Sequence, residues 1–221
     1  MNVVTVIRTN GERTAAVCER LVREQADEVH VIAIKPFTAA VIRCFEIGLE
    51  SGADWLMTVD ADVLVRPGAV RELWAYMHRM RPAVCHYQGT ILDKLSMSER
   101  VAGPRMWRVS ALEQLLPLVE DAIRVESNVL QRAKKLGWRS ELLSEFNAGV
   151  HDYEQYYRDL YRKAKVHSIK FASWGQAIVP KWRRGDLDLQ AAYAGWYGLP
   201  WTEEEKDPLP NDWRPDWTAL K

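Results

Sequence analysis

The chain has 221 residues, of which 48% are apolar and 27% are charged. This composition is typical of a soluble globular protein and supplies enough apolar side chains for one sizeable core. Thirty basic side chains balance thirty acidic ones, so no net charge favours nucleic acid or an acidic membrane as a partner. No apolar run reaches the roughly 18 residues of a membrane span, and the N-terminus lacks the basic and apolar regions of a signal peptide.

The three cysteines, Cys18, Cys44 and Cys85, do not have the spacing of a metal site. Any disulfide between two of them would leave the third unpaired. We therefore expect reduced, packed thiols in a cytoplasmic protein.

Strand and helix patterns alternate over the first 66 residues. Apolar and β-branched runs predict strands at 2–7, 28–34 and 55–59, and helical periodicity predicts helices at 14–25 and 38–51. This order implies a parallel sheet with right-handed crossovers. Ligands of such sheets gather at the carboxyl ends of the strands, which here carry polar residues at 8–13 and 60–62.

The remaining chain is less regular. The patterns predict a helix at 69–80, a strand at 83–87, and a short strand leading into a helix with Ser110 as its N-cap. Further helices are expected at 126–136, ended by Gly137, and at 153–165. From Pro200 the chain is rich in proline and tryptophan, which predicts an irregular tail that would cover the site as a lid.

The third predicted strand ends on two aspartates, Asp60 and Asp62, one residue apart. They lie on the same side of an extended chain, and such close carboxylates repel each other without a cation between them. One interpretation is a Mg²⁺ or Mn²⁺ ion that binds a nucleotide diphosphate. A second is a phosphatase in which Asp60 is the nucleophile, and a third is a pair of structural caps.

The order of the segments favours the diphosphate interpretation, since two strand–helix units precede the aspartates. The runs VVTVIRT (3–9) and AAVIRCFEIGLESGADWLMTVDADV (39–63) resemble GT-A glycosyltransferases, especially those of family 2. The resemblance covers the first strand, an Ala-x-x-Arg helix, a Gly-Ala-Asp connector and the Asp-x-Asp motif. Haloacid-dehalogenase-like phosphatases normally carry their motif on the first strand.

The resemblance implies an α/β, Rossmann-like GT-A fold with a mostly parallel central sheet flanked by helices. It implies one catalytic domain over 1–199, with a nucleotide-binding half at 1–66 and an acceptor half at 67–199. The tail at 200–221 would follow this domain.

The resemblance also implies a metal site for Mn²⁺ or Mg²⁺. Asp62 would be the more direct ligand, and Asp60 would bind the ion through water or lie near the ribose. Many GT-A enzymes have a third ligand, a histidine near the end of the catalytic domain, and His151 would take this role.

Other residues would bind the donor nucleotide. Arg43 matches the helix arginine that approaches the nucleotide. Lys35 and Pro36 stand where the family often carries an acidic cluster that reads the base, so UDP- and GDP-sugars both stay open. The remaining predicted donor residues lie in the loop after the first strand and in the run GPRMWRV: Arg8, Thr9, Glu12, Arg13, Arg105 and Trp107.

An inverting enzyme of this type needs a carboxylate to deprotonate the acceptor hydroxyl. The run VESNVLQRAKKLG resembles the helix start that carries this base, with Glu126 at the position of the aspartate. A helix N-terminus also holds an acidic side chain as a simple cap. Asp121 is the reserve candidate for the base.

The sequence therefore predicts a metal-dependent, inverting glycosyltransferase that uses a UDP- or GDP-sugar, with Glu126 as base. The acceptor stays open among a small molecule, a glycan, a protein and a modified nucleic acid. Two alternatives remain: a haloacid-dehalogenase-like phosphatase that uses Asp60, and a non-catalytic domain of the same fold that binds a partner through its aromatic C-terminus.

Overall fold

The protein is built on one mixed β-sheet. The computed structural model describes residues 2–77, 79 and 81–218, and seven strands of this part of the chain form the sheet in the order β2-β1-β3-β6-β5-β7-β4. The strands are β1 (Val3–Arg8), β2 (Glu28–Ile32), β3 (Trp55–Asp60), β4 (Val63–Val65), β5 (Val84–Asp93), β6 (Ser98–Arg108) and β7 (Arg139–His151).

Most of the strands run in one direction. β1 pairs in parallel with β2 and β3, and β5 pairs in parallel with β7. β6 lies antiparallel between β3 and β5, and β4 is antiparallel to β7 at the edge. Two strands, β4 and β6, therefore oppose the other five, and the predicted mostly parallel sheet is confirmed.

Helices cover both faces of the sheet. The α-helices of the described chain are α1 (Ala15–Arg23), α2 (Phe37–Glu50), α3 (Ala69–Met77), α4 (Val109–Leu115), α5 (Val125–Ala133), α6 (Tyr157–Lys170), α7 (Trp174–Ala177), α8 (Val179–Trp182) and α9 (Leu187–Tyr197), of which α1 to α5 pack on the faces. None of the helices that the structure describes is long and apolar enough to cross a membrane.

The alternation of side chains along β1 divides the core in two. Val3 and Ile7 point to the face covered by α1 and α3, whereas Val4 and Val6 point to the face covered by α2, α4 and α5. All six residues of β1 are buried, because a central strand has helices on both sides. The three cysteines are free and buried, as expected of packed thiols.

The first half of the predicted pattern agrees closely with the structure. In the second half, the predicted helix at 126–136 is observed as α5 and the turn that Gly137 ends, and the predicted helix at 153–165 is observed as α6, which begins at Tyr157. The strands of the second half agree less well. The 83–87 strand extends to Asp93 and forms a hairpin with β6, where the sequence predicted a polar stretch. The long strand β7 was missed altogether, and α4 begins at Val109 rather than after a Ser110 cap. The predicted helix at 69–80 is observed as α3, and positions 78 and 80 lie outside the described residues.

The last part of the chain packs beside the sheet rather than on it. α6, α8 and α9 form a small apolar cluster around Leu160 and Trp182, and the indole nitrogen of Trp182 donates to the Leu95 carbonyl at 2.8 Å. The tail then passes from α6 to α1. The Glu205 carboxylate accepts hydrogen bonds from two backbone amides at the start of α6, and the Arg20 guanidinium on α1 binds tail carbonyl groups.

The packing of α6 against α9 predicts opposite effects for two helical glycines. A Cβ at Gly195 would lie 2.1 Å from the Tyr161 carbonyl oxygen, whereas a Cβ at Gly175 would meet nothing closer than 3.4 Å. We expect Gly195→Ala to destabilise the fold by about 3 kcal/mol through overpacking, and Gly175→Ala to be neutral or slightly stabilising because alanine favours helix. Urea unfolding of both variants checks this. Equal midpoints for the two would contradict the described α6–α9 packing.

Candidate active site

The carboxyl ends of β1 and β3 meet at a buried arginine. Arg8 ends β1, and its Nε donates to Asp60 Oδ1 at 2.8 Å. Its Nη1 donates to Glu126 Oε1 at 2.9 Å across the cleft. Burial alone would lower the pKa of Arg8, but Asp60 and Glu126 raise it. The guanidinium therefore stays charged and ties the end of β3 to the start of α5.

Glu126 is bound by two arginines. Its second oxygen lies 3.0 Å from Nε of Arg105 on β6, so Arg8 and Arg105 together pair both oxygens. Burial alone would raise the pKa of this carboxyl, but Arg105 and Arg8 lower it. Glu126 is consequently ionised, at a position in the first turn of α5 that also suits a negative charge.

A second cluster forms where β4 pairs with β7. Val63 lies opposite His151 in this antiparallel pair, and the Asp152 amide donates to the Asp62 carbonyl at 3.2 Å. One ligand atom from each of Asp62, His151 and Asp152 lies within 4.8 Å of the others. All three residues are buried, so the backbone pairing brings two carboxylates and an imidazole together away from solvent.

These three residues can hold a divalent cation. Oδ1 of Asp62 and Oδ2 of Asp152 are buried and make no hydrogen bond, and they face the His151 ring at 3.4 and 3.3 Å, although buried carboxylate oxygens are normally hydrogen-bonded. Two anionic oxygens and the nitrogen of a neutral imidazole are a suitable donor set for such an ion. The residues present therefore fit the metal that the sequence predicts.

A network of charges surrounds the cluster. The His151 ring donates from Nδ1 to Asp93 Oδ2 at 2.6 Å, and Arg100 binds the same carboxylate at 2.6 Å. The ammonium of Lys163 on α6 binds Asp62 and Asp152 and lies 3.2 Å from His151 Nε2.

The charges in this network shift the pKa values of its members. Burial alone would raise the pKa of Asp62, but Lys163 and His151 lower it well below its usual range. Burial alone would lower the pKa of His151, whereas Asp152 and Asp62 raise it to about 10. The cluster therefore holds ionised carboxylates beside a protonated imidazole.

A cleft of about 1180 Å³ opens beside the Arg8–Glu126 pair. Asp60, Glu126 and Arg105 line its inner part, and Asp121 lies on its wall. Phe37, which is 44% exposed, offers an aromatic surface there, with the Arg8 guanidinium 4.8 Å from its ring centroid. None of the described tail residues from 200 to 218 lines this cleft, so the expectation of a tail lid over it is wrong.

The loop after β1 is held in place by its own hydrogen bonds. Thr9 Oγ1 donates to Glu12 Oε2 at 2.7 Å, and the Asn10 amide donates to the same oxygen. Arg13 turns away from the loop and binds Glu154 and the Asp207 carbonyl oxygen. Thr9 and Glu12 thus lie beside the strand end, whereas Arg13 joins the loop to the tail.

Two predicted donor residues lie elsewhere. Trp107 is fully buried between β6 and α2, where its ring packs on Phe45 at 5.0 Å and its Nε1 donates to Thr58. With no exposed surface, it cannot line a donor pocket. Arg43 pairs with Glu46 and Glu50 on the outer surface of α2, so its predicted approach to the nucleotide is also wrong in this structure.

The group of residues that could hold a metal differs by one member from the predicted set of Asp60, Asp62 and His151. Asp62 and His151 lie in the cluster, but Asp60 is bound to Arg8 and is replaced there by Asp152. Asp152, Asp93 and Lys163 were missed by the sequence analysis. Asp152 follows His151 directly in the sequence, and this adjacency could have indicated it. Using it required knowing that His151 ends a strand, β7, that pairs with β4.

Comparison with known proteins shows the fold. No family model matches the sequence, and no curated protein matches it. A solved mannosyltransferase from Pyrobaculum calidifontis, in complex with GDP-Man and Mn²⁺, superposes with a TM-score of 0.52 at 13% identity. The match covers 88% of this chain and 69% of that one. The chain has the GT-A fold. The likeness to family 2 in particular stays a prediction.

Two other solved structures match with lower scores. A glycosyltransferase involved in glycosylation of the major capsid of PBCV-1 has a TM-score of 0.48 at 13% identity, over 67% of this chain and 92% of that one. A CMP:2-keto-3-deoxy-manno-octonic acid synthetase complexed with CTP has a TM-score of 0.42 at 12% identity, over 68% and 93%. At these scores the likeness carries no argument.

The buried arginine predicts a large loss of stability on its removal. Arg8→Met removes the guanidinium that Asp60 and Glu126 share, and breaking a buried charge pair on one side costs about 3 kcal/mol or more. Arg43→Met removes an arginine from the exposed pairs on α2, and we expect little change there because such pairs contribute little. Urea unfolding measures both. A wild-type midpoint for Arg8→Met would contradict the structural role of Arg8.

Proposed function

We propose that this protein is a metal-dependent glycosyltransferase that moves a sugar from a UDP- or GDP-sugar to a hydroxyl acceptor. The observation that carries the proposal is the group of Asp62, His151 and Asp152 at the end of a GT-A sheet. Asp60 continues this edge into the large cleft. In α/β sheets, ligands bind at the carboxyl ends of the strands, and a diphosphate there needs positive charge.

The proposed ion is Mn²⁺ or Mg²⁺, held by Asp62, His151 and Asp152. A bound divalent ion would act as a Lewis acid that stabilises the nucleotide diphosphate as the leaving group. The imidazole in the donor set favours Mn²⁺ over Mg²⁺, which prefers oxygen ligands alone. The Pyrobaculum mannosyltransferase, whose structure contains GDP-Man and Mn²⁺, supports the same assignment.

The chain's own residues would position the donor around Asp60. Arg105 lines the cleft, and Arg8 pairs with the lining residues Asp60 and Glu126. The two guanidinium groups would neutralise phosphate oxygens. Phe37 offers a face on which a base can stack. Thr9 and Glu12, in the loop after β1, stay our candidates for contacts with the base or ribose.

Glu126 is the proposed base. It would take the proton of the acceptor hydroxyl as the oxygen attacks the anomeric carbon from the side opposite the diphosphate, which inverts the configuration. The two arginines keep this carboxylate ionised, as a base must be, but they also lower its proton affinity. Asp121, exposed on the wall of the same cleft, is the second candidate.

The alternatives predict different binding behaviour. A haloacid-dehalogenase-like phosphatase would use Asp60 as a nucleophile, but Asp60 Oδ1 is paired with buried Arg8 and the motif follows the third strand, not the first. A non-catalytic domain of this fold would bind a partner without a nucleotide. Nucleotide binding therefore separates the proposal from both.

The first test is metal-dependent nucleotide binding. We expect UDP or GDP to raise the melting temperature with Mn²⁺ by on the order of 5 to 10 °C at a hundredfold excess over the dissociation constant. Asp62→Asn and Asp152→Asn should each abolish the Mn²⁺-dependent part. Asp54→Asn, which removes a carboxylate just before the opposite end of β3, is the control and should respond like wild type.

The result that contradicts the proposal is a flat response. If neither UDP, GDP nor their sugars shift the melting temperature with or without Mn²⁺, the protein is not a donor-binding transferase. A CTP-specific shift would instead favour nucleotidyl transfer.

A second test assigns the base. With a donor identified, we expect Glu126→Gln to lower the transfer rate by a factor on the order of 10² to 10⁴ while the nucleotide still binds. Asp121→Asn should leave the rate nearly unchanged. The measurement is release of the nucleotide diphosphate, with circular dichroism as the folding control. The reverse pattern would transfer the role to Asp121.

A further inference from the structure

The three residues that fit a metal are already bridged by a cation from the chain itself. The Lys163 ammonium donates to Asp62 Oδ2 and Asp152 Oδ1, and it lies 3.2 Å from His151 Nε2. These are the same three residues that form the metal-binding group. One ammonium thus contacts each member of the donor set.

The helix that carries Lys163 is fixed by packing on its other side. Leu160 and Ala164 of α6 are fully buried in the α6–α9 cluster. The close approach of Gly195 to the Tyr161 carbonyl holds α9 against the same helix. The Lys163 side chain itself is 24% exposed. The backbone is therefore held, while the flexible four-carbon side chain has room to leave.

The charge balance shows that the ammonium and a divalent ion are alternatives. Three carboxylates meet here, those of Asp62, Asp93 and Asp152. Their three negative charges face two fixed positive ones, those of Arg100 and Lys163. With a neutral imidazole, which metal ligation requires, the net charge is about −1 with the ammonium and −2 without it. The charge of a divalent ion balances the net charge of about −2 that the group has without the ammonium.

Two buried oxygens point to the same conclusion. Asp62 Oδ1 and Asp152 Oδ2 make no hydrogen bond and face the His151 ring at 3.4 and 3.3 Å, while Lys163 binds the other oxygen of each carboxylate. Asp152 is 1% exposed, so bulk water does not satisfy its Oδ2. The single ammonium binds one oxygen of each carboxylate, and an ion with a larger coordination number would use the other two.

We propose that Lys163 is a built-in competitor for the divalent cation, and that its ammonium must leave the Asp62–His151–Asp152 group before the ion binds. The inference rests on the proposed function only in taking this group as the metal site. In the metal-free protein the lysine offsets part of the negative charge of the two carboxylates and stabilises their approach. In the metal-bound protein the released ammonium needs another anion, and the donor diphosphate is the anion that the proposed reaction supplies.

The test compares Mn²⁺ binding by wild type, Lys163→Met and Lys165→Met, measured by the electron paramagnetic resonance signal of free Mn²⁺. Lys165 is exposed on the same helix and is the matched control. We expect Lys163→Met to bind Mn²⁺ at least about tenfold more tightly, because it removes a positive charge from within about 3 Å of the ligands. Lys165→Met should bind like wild type. The melting temperature of Lys163→Met in EDTA should fall, and Mn²⁺ should restore it.

A second measurement needs no variant. In wild type, Mn²⁺ should accelerate labelling of Lys163 by an amine-directed reagent, followed by mass spectrometry, because the released ammonium becomes accessible. The labelling of Lys165 should stay constant and serves as the internal reference. This measurement decides the matter if Lys163→Met does not fold.

Two results would overturn the inference. One is Mn²⁺ binding by folded Lys163→Met that is no tighter than wild type, with unchanged labelling of Lys163. The other is nucleotide binding that never depends on Mn²⁺ but is lost in Lys163→Met, which would make the lysine a permanent replacement for the ion. If Lys163→Met binds Mn²⁺ tightly and no variant binds a nucleotide, this inference stands and the proposed glycosyl transfer fails.

Discussion

The pairing of β4 with β7 is the constraint on which the candidate site depends. Gly149 makes the pairing possible: its φ of 150° is unfavourable for other residues, and a Cβ there would lie 2.0 Å from the Leu64 carbonyl oxygen. The resulting register sets Val63 opposite His151. Because side chains alternate along a strand, a slip of one residue would turn the imidazole to the other face. The grouping of Asp62, His151 and Asp152 therefore depends on a close backbone contact at Gly149.

The site is electrostatically balanced in its ligand-free form. Arg8 and Arg105 pair with Glu126, and Lys163 together with protonated His151 pairs with Asp62 and Asp152. Each acidic group that the proposed reaction needs is thus already occupied by a cation of the chain. A bound diphosphate would bring competing negative charge to these same cations, so binding and activation of the carboxylates would be linked through the exchange of partners. Such balance also avoids the cost of leaving buried charges unpaired.

The sequence predicted correctly those features of the structure that depend on residues close together in the chain. The order of the first five elements, the GT-A resemblance and the location of Asp62 beyond β3 follow from short-range patterns. The presence of Asp152 beside Asp62 and His151 does not follow from them, because Asp152 reaches Asp62 only through the pairing of segments almost 90 residues apart. The partial error over Asp60 has the same origin, since its partner Arg8 lies on a neighbouring strand. Trp107 and Arg43 were misplaced because a motif gives the order of residues but not the face on which each side chain lies.

Through Glu205 the tail stabilises the start of α6, although none of its described residues lines the cleft. The exposed amides at the start of α6 are satisfied by a carboxylate 48 positions later in the chain, in place of a local cap. The same tail segment is anchored to the loop before α1 by Arg13 and to α1 by Arg20. The tail therefore connects α1 to α6, the helix that carries Lys163. The tail thereby helps to hold the start of α6, the helix that carries Lys163.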